Sequence, residues 1–301
     1  MYKTLNEHLK EKFGSKVYKL AIDGGFTCPN RDGTVGSRGC IFCSECGSGE
    51  FAEKGDDILL QLERAKKRVE HKNKSGKYIA YFQSFTNTYA PCDRLERLFK
   101  AALSPDYIVG LSVATRPDCL PDDTVELLKG LNKIKPVTVE LGLQTVNEQT
   151  VKYIRRGYQN AIYFDAVKRL KAAGLEVVTH VMIGLPFEDV NDAVRTTRAA
   201  VESGTDGIKF HMLYVLKNTD LAAEFEKGAF NTLTIEQYAK ILKECISLLP
   251  KHITVHRITG DGAKRDLIAP LWSADKKRVM NDMNKFFNEH NVIQGKNNLG
   301  Q

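Results

Sequence analysis

Residues Val17 to Cys43 read VYKLAIDGGFTCPNRDGTVGSRGCIFC and contain the features that decide the fold. The apolar, β-branched run from Val17 to Ile22 predicts a first strand. A glycine-rich loop follows and carries Cys28, Cys40 and Cys43. Thiolates bind iron–sulfur clusters, and a [4Fe–4S] cube bound by only three of them leaves one iron open to an outside ligand. The stretch therefore predicts a strand that leads into a loop built around a reactive cluster.

Cys46 leaves an alternative open, because Cys40, Cys43 and Cys46 form a compact CxxCxxC triad. Four thiolates of one loop also suit a structural zinc ion. The repeated strand–helix pattern of the chain gives a reason for an open cluster that a zinc ribbon does not need. We therefore favour the cluster over zinc.

The rest of the chain alternates apolar strands with amphipathic helices, which is the pattern of a parallel sheet. Six units are too few to close an eight-stranded barrel, so we predict an α/β fold with a partial (β/α)6 TIM-like barrel. Chemistry is expected at the carboxyl ends of its strands. We assign residues 1–250 to this barrel and residues 251–301 to a C-terminal strand and helix packed on it. The predicted strands are Val17 to Ile22, Tyr78 to Gln83, Ile108 to Ala114, Val137 to Leu143, Leu175 to Ile183 and Gly207 to Leu213.

Composition is that of an ordinary globular protein, with 42% hydrophobic and 27% charged residues among 301. No apolar run approaches the ~18 residues of a membrane helix, and the first residues lack the apolar core of a signal peptide. We therefore expect a cytoplasmic protein without a membrane partner. The net charge of +7 fits an anionic partner such as nucleic acid, although a merely soluble basic protein fits it as well.

The segment from Gly25 to Thr34 and the CxxC pair resemble radical S-adenosylmethionine (SAM) proteins of the YtqA/YhcC type, which are similar to the catalytic subunit of Elongator. The commonest radical SAM motif has three residues between its first two cysteines, whereas eleven lie between Cys28 and Cys40. The resemblance covers most of the chain and also implies a six-unit partial barrel. It implies that Cys28, Cys40 and Cys43 hold a [4Fe–4S] cluster, that SAM binds the fourth iron, and that Cys46 is an accessory thiol.

The same resemblance places part of the SAM site on the second and fifth strands. Gln83 and Ser84 stand where relatives use a glycine-rich segment for the methionyl ammonium, and their oxygens can accept its hydrogen bonds. Locally, polar residues that simply end a strand fit nearly as well. Ile183 and Gly184 match the segment that lies against the SAM adenine.

The fourth unit and the third strand supply the other SAM contacts that the resemblance implies. Gln144 is expected to contact the ribose, and Arg156 to pair with the carboxylate through its planar fork. Arg155 is adjacent, so the two arginines could exchange roles. Many relatives carry a carboxylate where Ala114 lies in this chain, so that ribose contact is absent here.

Candidate substrate-pocket and catalytic residues lie near the end of the sixth strand, where Lys209, His211 and Tyr214 follow one another. A histidine in a strand is usually a satisfied core residue, but this position raises the expectation of function. These side chains could orient a substrate or move a proton. His180 on the fifth strand is expected to face inward as well.

The resemblance implies reductive cleavage of SAM to a 5′-deoxyadenosyl radical, with electrons from a donor such as flavodoxin or ferredoxin. It also implies tRNA as substrate, read at its anticodon loop, with the carboxymethylaminomethyl group of the wobble uridine converted to aminomethyl before a separate methyltransferase acts. Two alternatives stay open: a radical SAM enzyme for a small metabolite or peptide, and a zinc-stabilised RNA-binding protein without catalysis. Basic runs that form either a phosphate track or a solvated face are Arg64 to Arg68, Lys72 to Lys77 and Lys276 to Arg278.

Overall fold

The predicted alternation of strands and helices is present in the computed structural model, which describes residues 1–47, 49–260 and 262–297. The strands are β1 (Tyr18–Ile22), β2 (Tyr78–Phe82), β3 (Ile108–Thr115), β4 (Val137–Gln144), β5 (Glu176–Ile183), β6 (Gly207–Met212), β7 (Val215–Leu216), β8 (Thr254–Arg257) and β9 (Leu267–Ala269). The helices are α1 (Leu5–Phe13), α2 (Ile58–Val69), α3 (Cys92–Leu103), α4 (Asp122–Asn132), α5 (Glu148–Tyr153), α6 (Asn160–Ala172), α7 (Val190–Glu202), α8 (Asp220–Glu226), α9 (Ile235–Leu248) and α10 (Lys276–Glu289).

Seven strands form one parallel sheet in the order β1-β2-β3-β4-β5-β6-β8. The sheet curls into a partial barrel, so the predicted TIM-like fold is confirmed. β8 comes from the segment after residue 250 and pairs with β6, while α10 packs against α9. The division of the chain at residue 250 stays a prediction. β7 and β9 form a separate antiparallel pair.

Helices cover the outer face of the sheet because each presents an apolar stripe to strands that are buried on both faces. Phe82 on β2 and Phe99 on α3 illustrate the contact, since both are fully buried and their ring centroids lie 5.0 Å apart. Truncating such a ring typically costs about 3–5 kcal/mol. None of the helices in the described ranges has the length and apolar content needed to cross a membrane.

The helix α1 lies across the amino-terminal ends of the strands. Thr4 caps it in a capping box with Glu7, and Leu9 packs with Val17 and Ile79 just below the sheet. Lys12 on this helix donates to Glu176, the first residue of β5, over 2.5 Å. The barrel therefore has a covered lower end, and its interior is approached from the carboxyl ends of the strands.

Candidate active site

A cavity of about 510 Å³ lies at the carboxyl ends of the strands and reaches into the barrel. Cys28, Cys40 and Cys43 line it, and Cys46 is not among the lining residues. Residues of the eight strands β1 to β8 line the same space. The three predicted cluster ligands and the barrel interior thus share one chamber, as expected for this class of barrel.

The cysteine loop is held by side chains of its own sequence. The guanidinium of Arg31 donates to the carbonyl oxygens of Cys43 over 3.1 Å and Ser44 over 2.6 Å, and it lies over the ring of Phe85. Gly47 adopts a left-handed φ of 54°, and a Cβ there would lie 2.4 Å from Phe85. A side chain at this position would push the ring out of its place, so the loop needs glycine there.

The donor set fits an iron–sulfur cluster. The hydrogen bond between Cys43 and Cys40 lowers the pKa of the Cys40 thiol to about 7 and raises that of the Cys43 thiol well above its usual value, so one thiolate forms readily and the second proton must be displaced when iron binds. Thiolates are the form that binds iron. Within the ranges that the structure describes, no three His, Cys, Asp or Glu side chains are grouped as ligands of a single metal ion. A [4Fe–4S] cube does not need its ligands to converge on one point, because each thiolate binds a different iron atom.

The two polar residues after β2 lie in different surroundings. Gln83 lines the cavity, and its contact with the SAM ammonium stays a prediction. Ser84 is fully buried behind the loop, where a Cβ on Gly49 would lie 2.0 Å from its hydroxyl oxygen. The ammonium contact by Ser84 stays a prediction and would have to involve its backbone.

Gln144 lines the cavity at the end of β4, in a left-handed conformation with a φ of 60°. Such a backbone is uncommon for a residue other than glycine and is found where function constrains the chain. The hydroxyl of Tyr158 donates to the carbonyl oxygen of Gly142 over 2.7 Å and lies 3.2 Å from Oε1 of Gln144. The side chain of Gln144 is therefore oriented before any ligand binds, which suits the predicted ribose contact.

Arg156 is buried and uses all its guanidinium N–H groups within the protein. It donates to the carbonyl oxygens of Leu143, Thr145 and Tyr158 and to Oδ1 of Asn160, over 2.6–3.1 Å. A contact with the SAM carboxylate stays a prediction, and it requires the exchange of one of these bonds.

The two neighbouring arginines of Arg156 have carboxylate partners. Arg155 pairs with Asp220 at the start of α8, so it ties the loop after α5 to that helix. Arg116 lines the cavity, pairs with Asp118 over 2.7 Å and donates to the carbonyl oxygen of Arg156. Arg116 and Arg156 both line the cavity, whereas Arg155 is not among the lining residues.

The predicted adenine surface, Ile183 and Gly184, lies at the end of β5 next to Met182. Met182 lines the cavity, whereas Ile183 and Gly184 are not among the lining residues. Gly184 has a φ of 89°, and a Cβ there would lie 3.1 Å from the side chain of Leu233. The chain turns at this glycine, and the adenine contact of Ile183 and Gly184 stays a prediction.

Deep in the cavity, polar side chains of six strands meet at the carboxylate of Glu140, which is fully buried. Lys19 on β1 donates to Oε1 over 2.5 Å, and the ammonium of Lys209 on β6 pairs with Oε2. Three further contacts come from Ser112 Oγ at 2.8 Å, His180 Nε2 at 2.7 Å and Tyr81 Oη at 3.3 Å. A buried charge is tolerated only when it is paired and hydrogen-bonded, and Glu140 meets both conditions.

Charge in this network is set by burial and by neighbouring ions. Burial alone would raise the pKa of Glu140, but Lys19 and Lys209 hold it well below its usual range. Burial lowers the pKa of Lys209 to about 7, although Glu140 acts in the opposite direction. Burial also lowers the pKa of His180 to about 4, so this ring is neutral at physiological pH.

The three predicted substrate-pocket residues, Lys209, His211 and Tyr214, all line the cavity. The ring of His211 lies 4.8 Å from that of His180, and burial holds its pKa well below the usual range. Its Nε2 atom is buried and has no hydrogen-bond partner in the part of the chain described. The structure thus brings these three residues into one chamber with the cysteines, while their roles stay predictions.

The motifs of the sequence do not point to Lys19, Ser112 and Glu140 as site residues. A charged residue inside an apolar strand could have revealed them, because charged side chains are almost never fully buried unless they are paired. Lys19 and Glu140 stand within strands that read YKLAI and VTVELGLQ. An acid and a base in separate apolar strands of one parallel sheet indicate an ion pair inside it.

Comparison with known proteins agrees with this arrangement. The profile of the Radical SAM superfamily matches residues 32–200, and that of the Radical_SAM C-terminal domain matches residues 205–289. YtqA of Bacillus subtilis, an uncharacterized protein, is 46% identical over 296 residues, which are 98% of this chain and 92% of YtqA. The predicted resemblance to proteins of this type is confirmed.

Two further comparisons extend the similarity. A tRNA uridine(34) acetyltransferase of Methanocaldococcus jannaschii is 27% identical over 157 residues, which are 51% of this chain and 28% of that protein. The solved structure of Elp3 from the archaeon Methanocaldococcus infernus, with residues 1–46 deleted, has a TM-score of 0.73 at 18% identity and covers 93% of this chain and 64% of that one. The second comparison shows a shared fold. By its sequence profile and its similarity to YtqA, the chain belongs to the radical SAM superfamily of enzymes, which use a [4Fe–4S] cluster and S-adenosylmethionine.

Proposed function

We propose that this enzyme modifies tRNA at the wobble uridine, where it converts the carboxymethylaminomethyl side chain to aminomethyl. The observation that carries the proposal is the similarity of half the chain to a tRNA uridine(34) acetyltransferase. The net charge of +7 adds support, because contact with phosphates favours basic proteins. Part of the basic surface is neutralised by acids, since Arg68 pairs with Glu53 and Lys66 with Glu63. The phosphate track is therefore proposed for Arg64, Lys67, Lys72 and Lys74, which lie on or just after α2.

In this proposal, separate sets of cavity residues bind the cluster, SAM and the substrate. When bound, the cluster and SAM supply the radical chemistry, and the protein positions the reacting groups and excludes water. Cys28, Cys40 and Cys43 would hold the cluster. On the walls, Gln83 and Gln144 would orient SAM, together with the predicted contacts of Ser84, Arg156, Ile183 and Gly184. Lys209, His211 and Tyr214 would face the substrate.

The proposed conversion balances with SAM as the electron acceptor. The N–CH₂ carbon of the carboxymethyl group is oxidised by two electrons, its C–N bond breaks, and water supplies the oxygen of the glyoxylate that leaves. The nitrogen keeps its electron pair and becomes the primary amine of the aminomethyl group. When bound, SAM would supply the acceptor for these two electrons and one proton, with methionine and 5′-deoxyadenosine as its products. One proton is released overall.

The proposed partners follow from this chemistry. The cluster requires an electron donor of the flavodoxin or ferredoxin class. The aminomethyl product carries a primary amine, which a separate methyltransferase would modify next. A cytoplasmic location is proposed with these partners.

The test is an anaerobic assay of the reconstituted enzyme with SAM, dithionite and an anticodon stem-loop that carries carboxymethylaminomethyluridine. We expect 5′-deoxyadenosine, glyoxylate and aminomethyluridine in equal amounts, measured by liquid chromatography and mass spectrometry. Cys40→Ser should form none of them, whereas Cys92→Ser, an isolated cysteine outside the cavity, should match the wild type. If 5′-deoxyadenosine forms while the nucleoside stays unchanged, the substrate assignment is wrong.

A further inference from the structure

The deep end of the cavity holds more cationic donors than its own carboxylate can satisfy. Lys19 and Lys209 share the single carboxylate of Glu140, and neither forms an ion pair with any other acid in the described ranges. Both lysines are buried or nearly so, with 16% and 7% of their side chains exposed. Among Lys19, Lys209 and Glu140, two ammonium groups and one carboxylate leave a surplus positive charge, and such a charge is expensive when it is buried.

The hydrogen-bond donors of the two lysines also exceed the acceptors around them. A lysine ammonium has three N–H groups. Lys19 uses one on Glu140 and one on Ser112 over 3.1 Å, and Lys209 uses one on Glu140 and one on Tyr81 over 3.1 Å. One donor of each ammonium therefore has no acceptor among the residues described. The buried Nε2 of His211 lacks a partner in the same set.

These groups are placed to act on one ligand. Lys209 and His211 are alternate residues of β6, so both face the same side of the sheet. Lys209 is next to His180 in the register of β5 and β6, and Tyr81 lies under both lysines at 4.8 and 4.9 Å from its ring centroid. All of them line the cavity that the loop cysteines line. The depression of the Lys209 pKa to about 7 by burial agrees with an ammonium that its one carboxylate compensates incompletely.

We propose that Lys209, Lys19 and His211 form a subsite that binds a carboxylate of the substrate and holds the adjacent carbon inside the barrel. The proposal rests on the proposed function in one respect, because it names that carboxylate as the one of the carboxymethylamino group. It makes the subsite the element that distinguishes substrate from product, since the aminomethyl product lacks the carboxylate. An anion at this point supplies the missing acceptors and balances the surplus charge.

The experiment compares binding of two free nucleosides, 5-carboxymethylaminomethyluridine and 5-aminomethyluridine, to the anaerobic enzyme loaded with cluster and SAM. Calorimetry should give a preference of roughly tenfold to a hundredfold for the first, the range for hydrogen bonds to a charged group. Lys209→Met should reduce the preference to about threefold or less. Lys66→Met, which removes a lysine of α2 outside the cavity, should leave the preference unchanged.

A second variant covers the case in which Lys209→Met does not fold. Lys209→Gln keeps a side-chain amide that can donate to Glu140, whose carboxylate also stays paired with Lys19, and it should lower the preference in the same way. Equal binding of the two nucleosides by the wild type, or a preference that survives in a folded Lys209 variant, overturns the inference. Failure of the proposed function gives a different result. The stem-loop is then not converted, while the preference for the carboxylate still depends on Lys209.

Discussion

The side-chain amide of Asn30 donates a hydrogen bond of 3.5 Å to Sγ of Cys40. The same amide donates to the carbonyl oxygen of Arg155 over 2.5 Å. Asn30 itself is buried, whereas Cys40 and Arg155 are partly exposed. The residue therefore connects a predicted cluster ligand to the loop after α5, which carries the predicted SAM contact Arg156.

Replacing Asn30 should change the reduction potential of the reconstituted cluster. Hydrogen bonds to ligand sulfur favour the more negative, reduced state of a cluster. One net hydrogen bond of ~1 kcal/mol corresponds to about 40 mV for a one-electron couple. We expect Asn30→Leu to lower the midpoint potential by about that amount, measured by redox titration with electron paramagnetic resonance. An unchanged potential at equal iron content would show that the contact does not act on the cluster.

Three of the four loop cysteines should be needed for iron. Cys28→Ser, Cys40→Ser and Cys43→Ser should each lose most of the iron and all SAM cleavage, because each removes one ligand of the cube. Cys46 does not line the cavity, and its Sγ lies 3.6 Å from the ammonium of Lys54. Cys46→Ser should therefore keep both properties. Loss of iron in Cys46→Ser, measured by anaerobic metal analysis, would make it a fourth ligand.

Removing the charge of Glu140 should destabilise the fold strongly. Glu140→Gln leaves Lys19 and Lys209 buried without a carboxylate, and breaking such a pair typically costs about 3–5 kcal/mol. The matched control is Glu126→Gln on α4, where an exposed carboxylate pairs with Lys129 and the expected change is below about 1 kcal/mol. Chemical denaturation of both variants measures the difference. Equal midpoints would mean that the barrel interior is open to water.

Glu188 should make stability depend on pH. Burial raises the pKa of its carboxyl from 4.5 to about 7 in the folded protein. The folded state then binds this proton more tightly than the unfolded state, so the stabilisation is complete below pH 4.5 and is lost as pH rises through about 7. Glu188→Gln removes this loss while it keeps an oxygen for the hydroxyl of Thr145, which donates over 2.6 Å.

The expected outcome is a gain of the variant over the wild type by about 1–3 kcal/mol between pH 5 and pH 8, read from the free energies of unfolding. Parallel stability curves of the two proteins across this range would contradict the prediction.

The sequence predicts the fold closely because parallel strands buried on both faces leave a plain apolar signal. β2, β3 and β6 lie within one residue of their predicted ends. The loop cysteines are equally clear from their spacing. The network around Glu140 is not, because it depends on which residues of distant strands lie side by side. Register and barrel curvature decide such contacts, and neither can be read from local sequence.

Arg156 shows the same limit for single residues. Its position after α5 fits the predicted role, but the sequence does not reveal that the surrounding carbonyl oxygens take up its donors. Ser84 is similar, since its burial behind the loop depends on the close approach of Gly49. Side-chain orientation at strand ends follows from packing of the loops, which the strand pattern does not specify.

The lower end of the barrel, which α1 covers, can form only after the last part of the chain has been synthesised. The ammonium of Met1 donates to the carbonyl oxygen of Val292 over 2.8 Å, and the backbone N–H of Lys3 donates to Oε1 of Gln294 over 2.7 Å. Translation proceeds from the amino terminus, so these acceptors leave the ribosome long after the cysteine loop. The helix α1 can complete its contacts only at that late stage. The thiols of the cysteine loop are therefore made well before the barrel beneath them is complete.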